Sequence, residues 1–297
     1  MGWWRSRGGA AILMLAAGLG LFAGCDATHR GVTEGTLRVV GSEAALPLVR
    51  AAADTFVAYY KRAQVTVEGG GTVAGLEALI NKQADIAVLS REPLPSEREA
   101  GRGVGVDIAL YPFAYDGLAI IVHRENPVYA LSFSEARALF SGQTTDWAQV
   151  GGKPGWIRVY TTGVENGATD FVKDVLLGGL AFAEGAGRAT TTQAVVDSVA
   201  QHPDAVGYAG MAELDVRVKA LPLSPPEGGP LRVLNMETVF RKEYPLVRTF
   251  YFGTRGIPRD DLVSGFVSFV MSNRGQKIVA EKGLVPASVP VRFRTEG

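Results

Sequence analysis

Three strand-to-helix turns, and a fourth pair that follows a strand, hold the residues of this chain best suited to gripping an anion. They are Gly41-Ser42-Glu43-Ala44, Gly70-Gly71-Thr72-Val73, Asn166-Gly167-Ala168-Thr169 and the pair Ser90-Arg91. A helix start exposes unpaired N–H groups and about half a positive charge. Small or hydroxylated residues let an oxyanion approach those groups. Arg91 adds a guanidinium fork that matches two oxygens at once. Taken singly, a Gly-Ser turn before a helix serves as an ordinary cap as readily as a ligand contact. The chemistry on offer is recognition rather than bond-breaking. No Gly-x-Ser-x-Gly elbow, His-Glu-x-x-His helix or Gly-Lys-Ser/Thr loop occurs. His29, His123 and His202 lack metal-ligand spacing, and the lone Cys25 excludes a cysteine-based zinc site and an intrachain disulfide. Neither metal nor cofactor is expected, and no enzymatic activity.

These turns need strands and helices to aim them, and the apolar pattern supplies both. Leu37 to Val40 reads as a strand ending at Gly41. Leu48, Ala52, Phe56 and Tyr60 recur at four-residue spacing on one face of a helix from about Ala44, with Pro47 in its first turn. Val65 to Val67 and Ile86 to Leu89 read as strands. Between them lies a helix with Leu76, Leu79 and Ile80 on its apolar face. Asp107 to Val122 holds two strand-like runs broken near Asp116-Gly117. Further on, Ser134 to Phe140, Ala168 to Leu177, Ala194 to Ala200 and Leu262 to Met271 read as helices, the first capped by Ser132 or Ser134. Ile157 to Tyr160, Val206 to Tyr208 and Val247 to Phe252 read as strands. Alternation of this kind implies an α/β fold with mixed, mainly parallel sheets. Trp147 reads as an anchor in the core or between lobes. Arg232, Arg241, Lys242 and Arg248 read as a solvated face.

The start of the chain has a separate logic. Arg5 and Arg7 precede an apolar stretch from Ala10 to Phe22, and Leu21-Phe22-Ala23-Gly24-Cys25 closes it. This is the pattern of an export signal. It is shorter than the roughly 20 apolar residues of a spanning helix. The small-small-Cys ending resembles a bacterial lipobox. The expectation is a signal peptide over 1–24, lipidation at Cys25, a polar tether over 25–35, and an extracytoplasmic lipoprotein anchored to the membrane. Asp26, next to that cysteine, resembles an inner-membrane retention signal of some bacteria. The chain carries 30 basic and 30 acidic residues, so losing Arg5 and Arg7 leaves a slight acidic excess. That speaks against nucleic acid as a partner.

In order along the chain, seven motifs resemble those of the phosphate-binding proteins of ABC transporters, a family of type II periplasmic solute receptors. They are Gly41-Ser42 through Pro47, GGGTVAGLEALIN (69–81), ADIAVLSREP (84–93), DGLAIIVHRENP (116–127), LFSGQTTDWAQVG (139–151), VGYAG (206–210) and Tyr244-Pro245-Leu246. The resemblance runs from about 36 to 285. It implies two α/β lobes joined by two crossover strands, near 113–122 and 245–252, with solute clasped between them and a closed form read by a membrane permease. Lobe one would take 36–117 plus 250–290, and lobe two 118–249. It further implies a monomer that binds a small anionic solute, phosphate or a similar oxyanion. The ligand contacts would come from Ser42, Glu43, Thr72, Ser90 and Arg91 in lobe one and from Thr162, Asn166, Gly167, Ala168 and Thr169 in lobe two.

The departures from the family pattern are as informative. The family places Thr after its first Gly-Ser, where this chain has Glu43 and Ala44. In lobe two the family has Arg followed by Ser-Gly-Thr. Aligned on Phe171, this chain has Thr162 and then Asn166-Gly167-Ala168. A hydrogen bond to a charged group contributes about 1.5–3 kcal/mol, so losing two or three weakens phosphate by roughly 3–9 kcal/mol unless other groups compensate. Arg91 supplies a charge from lobe one unless it pairs with Glu43. A Glu43–Arg91 pair filling the cleft would instead mark a receptor-shaped sensor or envelope interaction module. A phosphate-ester hydrolase on the same scaffold would need a nucleophile–base pair, which the sequence does not offer.

Overall fold

A computed structural model describes residues 31–163 and 167–288. The signal peptide, Cys25, the first residues of the tether and Asn166 lie outside the described residues. No described helix is long and apolar enough to cross a membrane.

The first half of the chain builds strands β1 (Gly35–Gly41), β2 (Ala63–Glu68) and β3 (Ile86–Leu89), with helices α1 (Leu46–Tyr59), α2 (Gly71–Ile80) and α3 (Pro95–Gly103). Next comes β4 (Ile108–His123), then α4 (Phe133–Phe140), β5 (Arg158–Thr162), α5 (Gly167–Phe171), β6 (Gly187–Ala189), α6 (Thr192–Gln201), β7 (Ala205–Gly210) and β8 (Val218–Ala220). The chain ends on α7 (Met236–Phe240), β9 (Val247–Arg255), α8 (Leu262–Met271), α9 (Asn273–Glu281) and β10 (Val285–Pro286). Helix α5 continues as one π-helical segment, Val172–Leu176.

The two runs expected around Asp116-Gly117 are one continuous strand. From Ile108 to Gly117 β4 pairs with β9, and from Leu118 to Val122 it pairs with β7. The sequence break is the point where the strand passes from one sheet to the other. Among the described strands, β1–β2, β1–β3, β5–β6 and β5–β7 are parallel. Every antiparallel ladder contains β4 or β9, the two strands that cross between lobes. This is the two-lobe, type II periplasmic-binding-protein-like architecture.

Each lobe has its own core. In the first, Leu48, Ala52 and Phe56 of α1 are buried as the four-residue spacing requires, while Tyr60 ends the helix half-exposed. The Phe56 ring meets Phe266 and Phe269 of α8 edge-on at 5.4 and 5.3 Å. Phe113 of β4 stacks on Phe252 of β9 at 4.0 Å, which locks the crossover pair into this core. In the second, Leu118, Ile120 and Val122 pack with Phe140, Trp147, Val172 and Tyr208. Trp147 is a core anchor, buried with its indole N–H donating to the Asp204 carbonyl at 3.1 Å.

Close packing also sets where the anion-type turns sit. Gly75, in the middle of α2, lies against the end of β1, and a Cβ there would come within 2.7 Å of the Val40 carbonyl oxygen and 3.0 Å of the Gly41 Cα. The contact holds the start of α2 beside the Gly41-Ser42 turn. Alanine in a helix interior normally gains up to about 1 kcal/mol over glycine. Gly75→Ala should do the reverse, losing about 1–3 kcal/mol through backbone displacement. Urea unfolding midpoints of the two proteins check this; a more stable variant would show that the helix is free to move.

Candidate functional site

The ends of β1 and β3 and the starts of β9, α1, α2, α5 and α6 converge on one cleft of about 1560 Å³. Ser42 lies at its wall, buried, with its backbone N–H donating to the Val88 carbonyl at 2.8 Å. Thr72, at the start of α2, ties its turn to the end of β3. Its hydroxyl oxygen accepts the Ser90 N–H at 3.0 Å and lies 3.0 Å from the Ser90 hydroxyl. A glycine-rich start lets α2 come this close, with Gly70 and Gly71 at φ of 132° and 84°.

Glu43 and Arg91, expected either to bind solute or to pair with each other, do neither in a simple way. One Glu43 carboxylate oxygen accepts the Gly70 N–H at 2.6 Å, so a protein carboxylate already sits on the α2 turn. Arg91 instead forms a two-pronged ion pair with Glu97, both contacts 2.8 Å. Glu97 is held there because it also accepts the Leu94 N–H at the start of α3. The bond to Arg91 pushes the Glu97 acid below its usual range, and the bond to Glu97 raises Arg91. The Glu43–Arg91 pair that would mark a filled, sensor-like cleft is not formed. Across the cleft Arg91 feels the fields of Asp174 and Asp170. Asp170 is itself pushed up, first by burial and then by the charge of Asp174.

The lobe-two residues divide. Gly167 and Ala168 line the cleft, and a Cβ built on Gly167 would lie 3.3 Å from the Ser90 hydroxyl, so the two lobes meet here. Thr162 and Thr169, expected as ligand contacts, turn the other way. Their hydroxyls are 2.5 Å apart and join the Tyr208 hydroxyl at 3.2 and 2.7 Å, all three residues buried. The Tyr208 oxygen also accepts the Thr162 N–H at 3.0 Å. The physical reason is satisfaction of polar groups: in a dry interior each hydroxyl needs a partner, and they supply one another. The trio fixes α5 to β5 and β7 rather than facing solute.

Sequence reasoning missed the floor of the cleft. Arg248 was expected on a solvated face but is only 4% exposed. Its Nε and Nη2 donate to the Asp116 carboxylate at 2.8 and 2.7 Å. These residues are register partners on β9 and β4, one step before the last pair, Gly117–Val247, after which β4 joins the second sheet. Glu213 stands beside them, with its acid raised first by burial and then by the charge of Asp116. A usable signal was present. Arg248, Phe250 and Phe252 alternate along β9, and period-two counting puts the arginine on the buried face with the two phenylalanines.

Among the described residues no group of three or more His, Cys, Asp or Glu side chains could hold a metal. The geometry offers hydroxyls, one buried guanidinium and cross-lobe closure, which suits non-covalent capture of a small solute. Tyr208→Phe should cost about 1–3 kcal/mol, because it strands the buried Thr162 N–H and takes one partner from each threonine hydroxyl. Thermal unfolding measures this directly; an unchanged melting point would show that the hydroxyl trio is not what holds α5.

A family model described as a PBP superfamily domain matches residues 26–274. The phosphate-binding protein PstS of Pseudomonas aeruginosa is 26% identical over 95% of each chain. Protein SphX of Synechococcus elongatus is 28% identical, covering 83% of this chain and 76% of its own. An ABC-type phosphate transport receptor from Vibrio cholerae superposes with a TM-score of 0.74 at 25% identity, over 84% of this chain and 99% of that structure.

Proposed function

The chain belongs to the PBP superfamily and is PstS-like within it, and from that footing we propose that it is the extracytoplasmic solute-binding component of an ABC transporter, taking phosphate or a similar small oxyanion between its lobes. The observation that carries the reading is the convergence of Ser42, Thr72 and Ser90 from one lobe with Gly167 and Ala168 from the other on a single cleft. The printed names of the relatives support phosphate over other anions. In this reading lobe one takes 36–117 plus 250–290 and lobe two takes 118–249, and β4 and β9 act as the hinge about which closure occurs. The closed form of a single receptor chain is what the permease recognises, and no covalent step is involved.

Closure would bring hydroxyls to the solute although the family's arginine is absent at position 162. The Ser90 and Thr72 hydroxyls already lie 3.0 Å apart, and Gly167 from the other lobe is in contact distance of Ser90. An oxyanion held there would accept from both lobes in a site closed to water, where each hydrogen bond counts for more. Lipidation at Cys25 would add the membrane tether, on the strength of the leader that precedes it.

Calorimetric titration of the mature protein with phosphate, after unfolding and refolding to strip carried ligand, tests the reading. Micromolar or tighter binding is expected, weakened at least about tenfold in Ser90→Ala by loss of one charge-assisted bond. Absence of heat and of thermal stabilisation would overturn phosphate as the solute. For the anchor, Cys25→Ala should release the protein from the membrane fraction and abolish acyl-chain labelling. A variant that stays membrane-bound would refute lipid attachment.

A further inference from the structure

Two side-chain atoms at the cleft floor are hidden from solvent and have no partner among the described residues: Nη1 of Arg248 and Oε2 of Glu213. The rest of each group is fully used. Arg248 spends Nε and Nη2 on Asp116, and Glu213 Oε1 accepts the Thr192 hydroxyl at 2.9 Å. Asp116 links the two residues: it pairs with Arg248, and its charge acts on Glu213. A Cβ built on Gly210 would lie 2.7 Å from Glu213 Oε2 and 3.0 Å from Asp116 Oδ2, so the two carboxyl groups crowd one point. A stranded donor on a buried cation and a stranded carboxyl oxygen are both costly unless something pairs with them. A single ligand with one acceptor and one shared proton would pair with both.

We propose that Arg248 and Glu213 form a floor subsite of the cleft, in which Arg248 Nη1 donates to one oxygen of the bound oxyanion and a single proton is held between the Glu213 carboxyl and a second ligand oxygen. This rests on the reading of the cleft as an oxyanion site. It assigns the missing lobe-two cation to Arg248 on the crossover strand β9, which lines the cleft where Thr162 does not. The charge count requires the proton. Asp116 already neutralises Arg248, so a dianion beside an ionised Glu213 would meet two carboxylates and only one cation. The groups facing Glu213 are Asp116 from β4, Arg248 from β9 and the Thr192 hydroxyl from α6. Burial and Asp116 favour its neutral form; the Thr192 hydroxyl, Arg248 and the Gly210 backbone N–H favour the ionised form, and the net push is upward.

Binding is then linked to one proton, which the ligand or the solvent supplies. Affinity is full below the raised Glu213 range and falls as pH rises through it. Sulfate isolates this effect, because it carries no titrating proton of its own between about pH 5 and about pH 8. Titration of the mature protein with sulfate and with phosphate across that range is the experiment. Wild-type sulfate affinity should fall by up to about tenfold per pH unit above the Glu213 titration, and Glu213→Gln should make it flat. Arg248→Lys keeps a cation against Asp116 but removes the fork, and should weaken both anions at least about tenfold while the protein stays folded. A flat wild-type sulfate profile, an unchanged slope in Glu213→Gln, or unchanged affinity in a folded Arg248→Lys would each overturn the subsite. If Arg248→Lys does not fold, the sulfate profiles of wild type and Glu213→Gln decide alone. Tight phosphate binding that is indifferent to these changes would leave the receptor reading standing without the subsite. Sulfate binding with the expected dependences but no phosphate binding would uphold the subsite and overturn only phosphate as the solute. No response to either anion would overturn both.

Discussion

The ion pair between Asp116 and Arg248 is the constraint on which the rest of the structure hangs. It joins the two crossover strands one residue before the last pairing of β4 with β9, close to where β4 passes from one sheet to the other. Removing two charges from water costs several kcal/mol each, and breaking such a pair by deleting one partner costs about 3–5 kcal/mol. The pair therefore holds only where the strand register brings its members face to face, and a slip of one residue would separate them. Phe113, Phe250 and Phe252 fix that register from the lobe-one side, and Leu118, Ile120 and Val122 from the other. The Arg248 guanidinium also lies over the Phe250 ring at 5.1 Å, which gives the buried cation a second favourable contact.

A second theme is the use of the protein's own carboxylates on groups that otherwise invite an anion. Glu43 occupies the α2 turn, and Glu97 occupies the Arg91 fork. Together with Asp170 and Asp174 on the facing lobe, they make the cleft more acidic than its hydroxyl-lined turns suggest. Arg248, which lines the same cleft, retains an unpaired buried donor.

Lobe two contributes rigidity where a different chain would contribute ligands. Thr162, Thr169 and Tyr208 form a closed hydroxyl cluster, which pins the short α5 and its π-helical extension to the sheet. Gly167 is thereby held against Ser90.

The sequence alone determined the architecture, since alternating apolar periods of two and near four residues leave few ways to bury Leu48, Ala52, Phe56 or Ile86 to Leu89 except on an α/β sheet. It also placed Ser42, Thr72, Ser90 and Gly167 on turns at the ends of strands, because glycine and hydroxyl residues mark such turns locally. What it did not determine was which polar group each of these residues would face. Glu43 meeting Gly70 spans 27 positions, Thr162 and Thr169 meeting Tyr208 span 46 and 39, and Arg248 meeting Asp116 spans 132. The pairing of polar groups in a dry interior is a property of the closed three-dimensional arrangement, set by desolvation and register rather than by local pattern. A threonine looks the same in sequence whether its hydroxyl faces solute or a tyrosine, and an arginine whether it faces water or a buried aspartate.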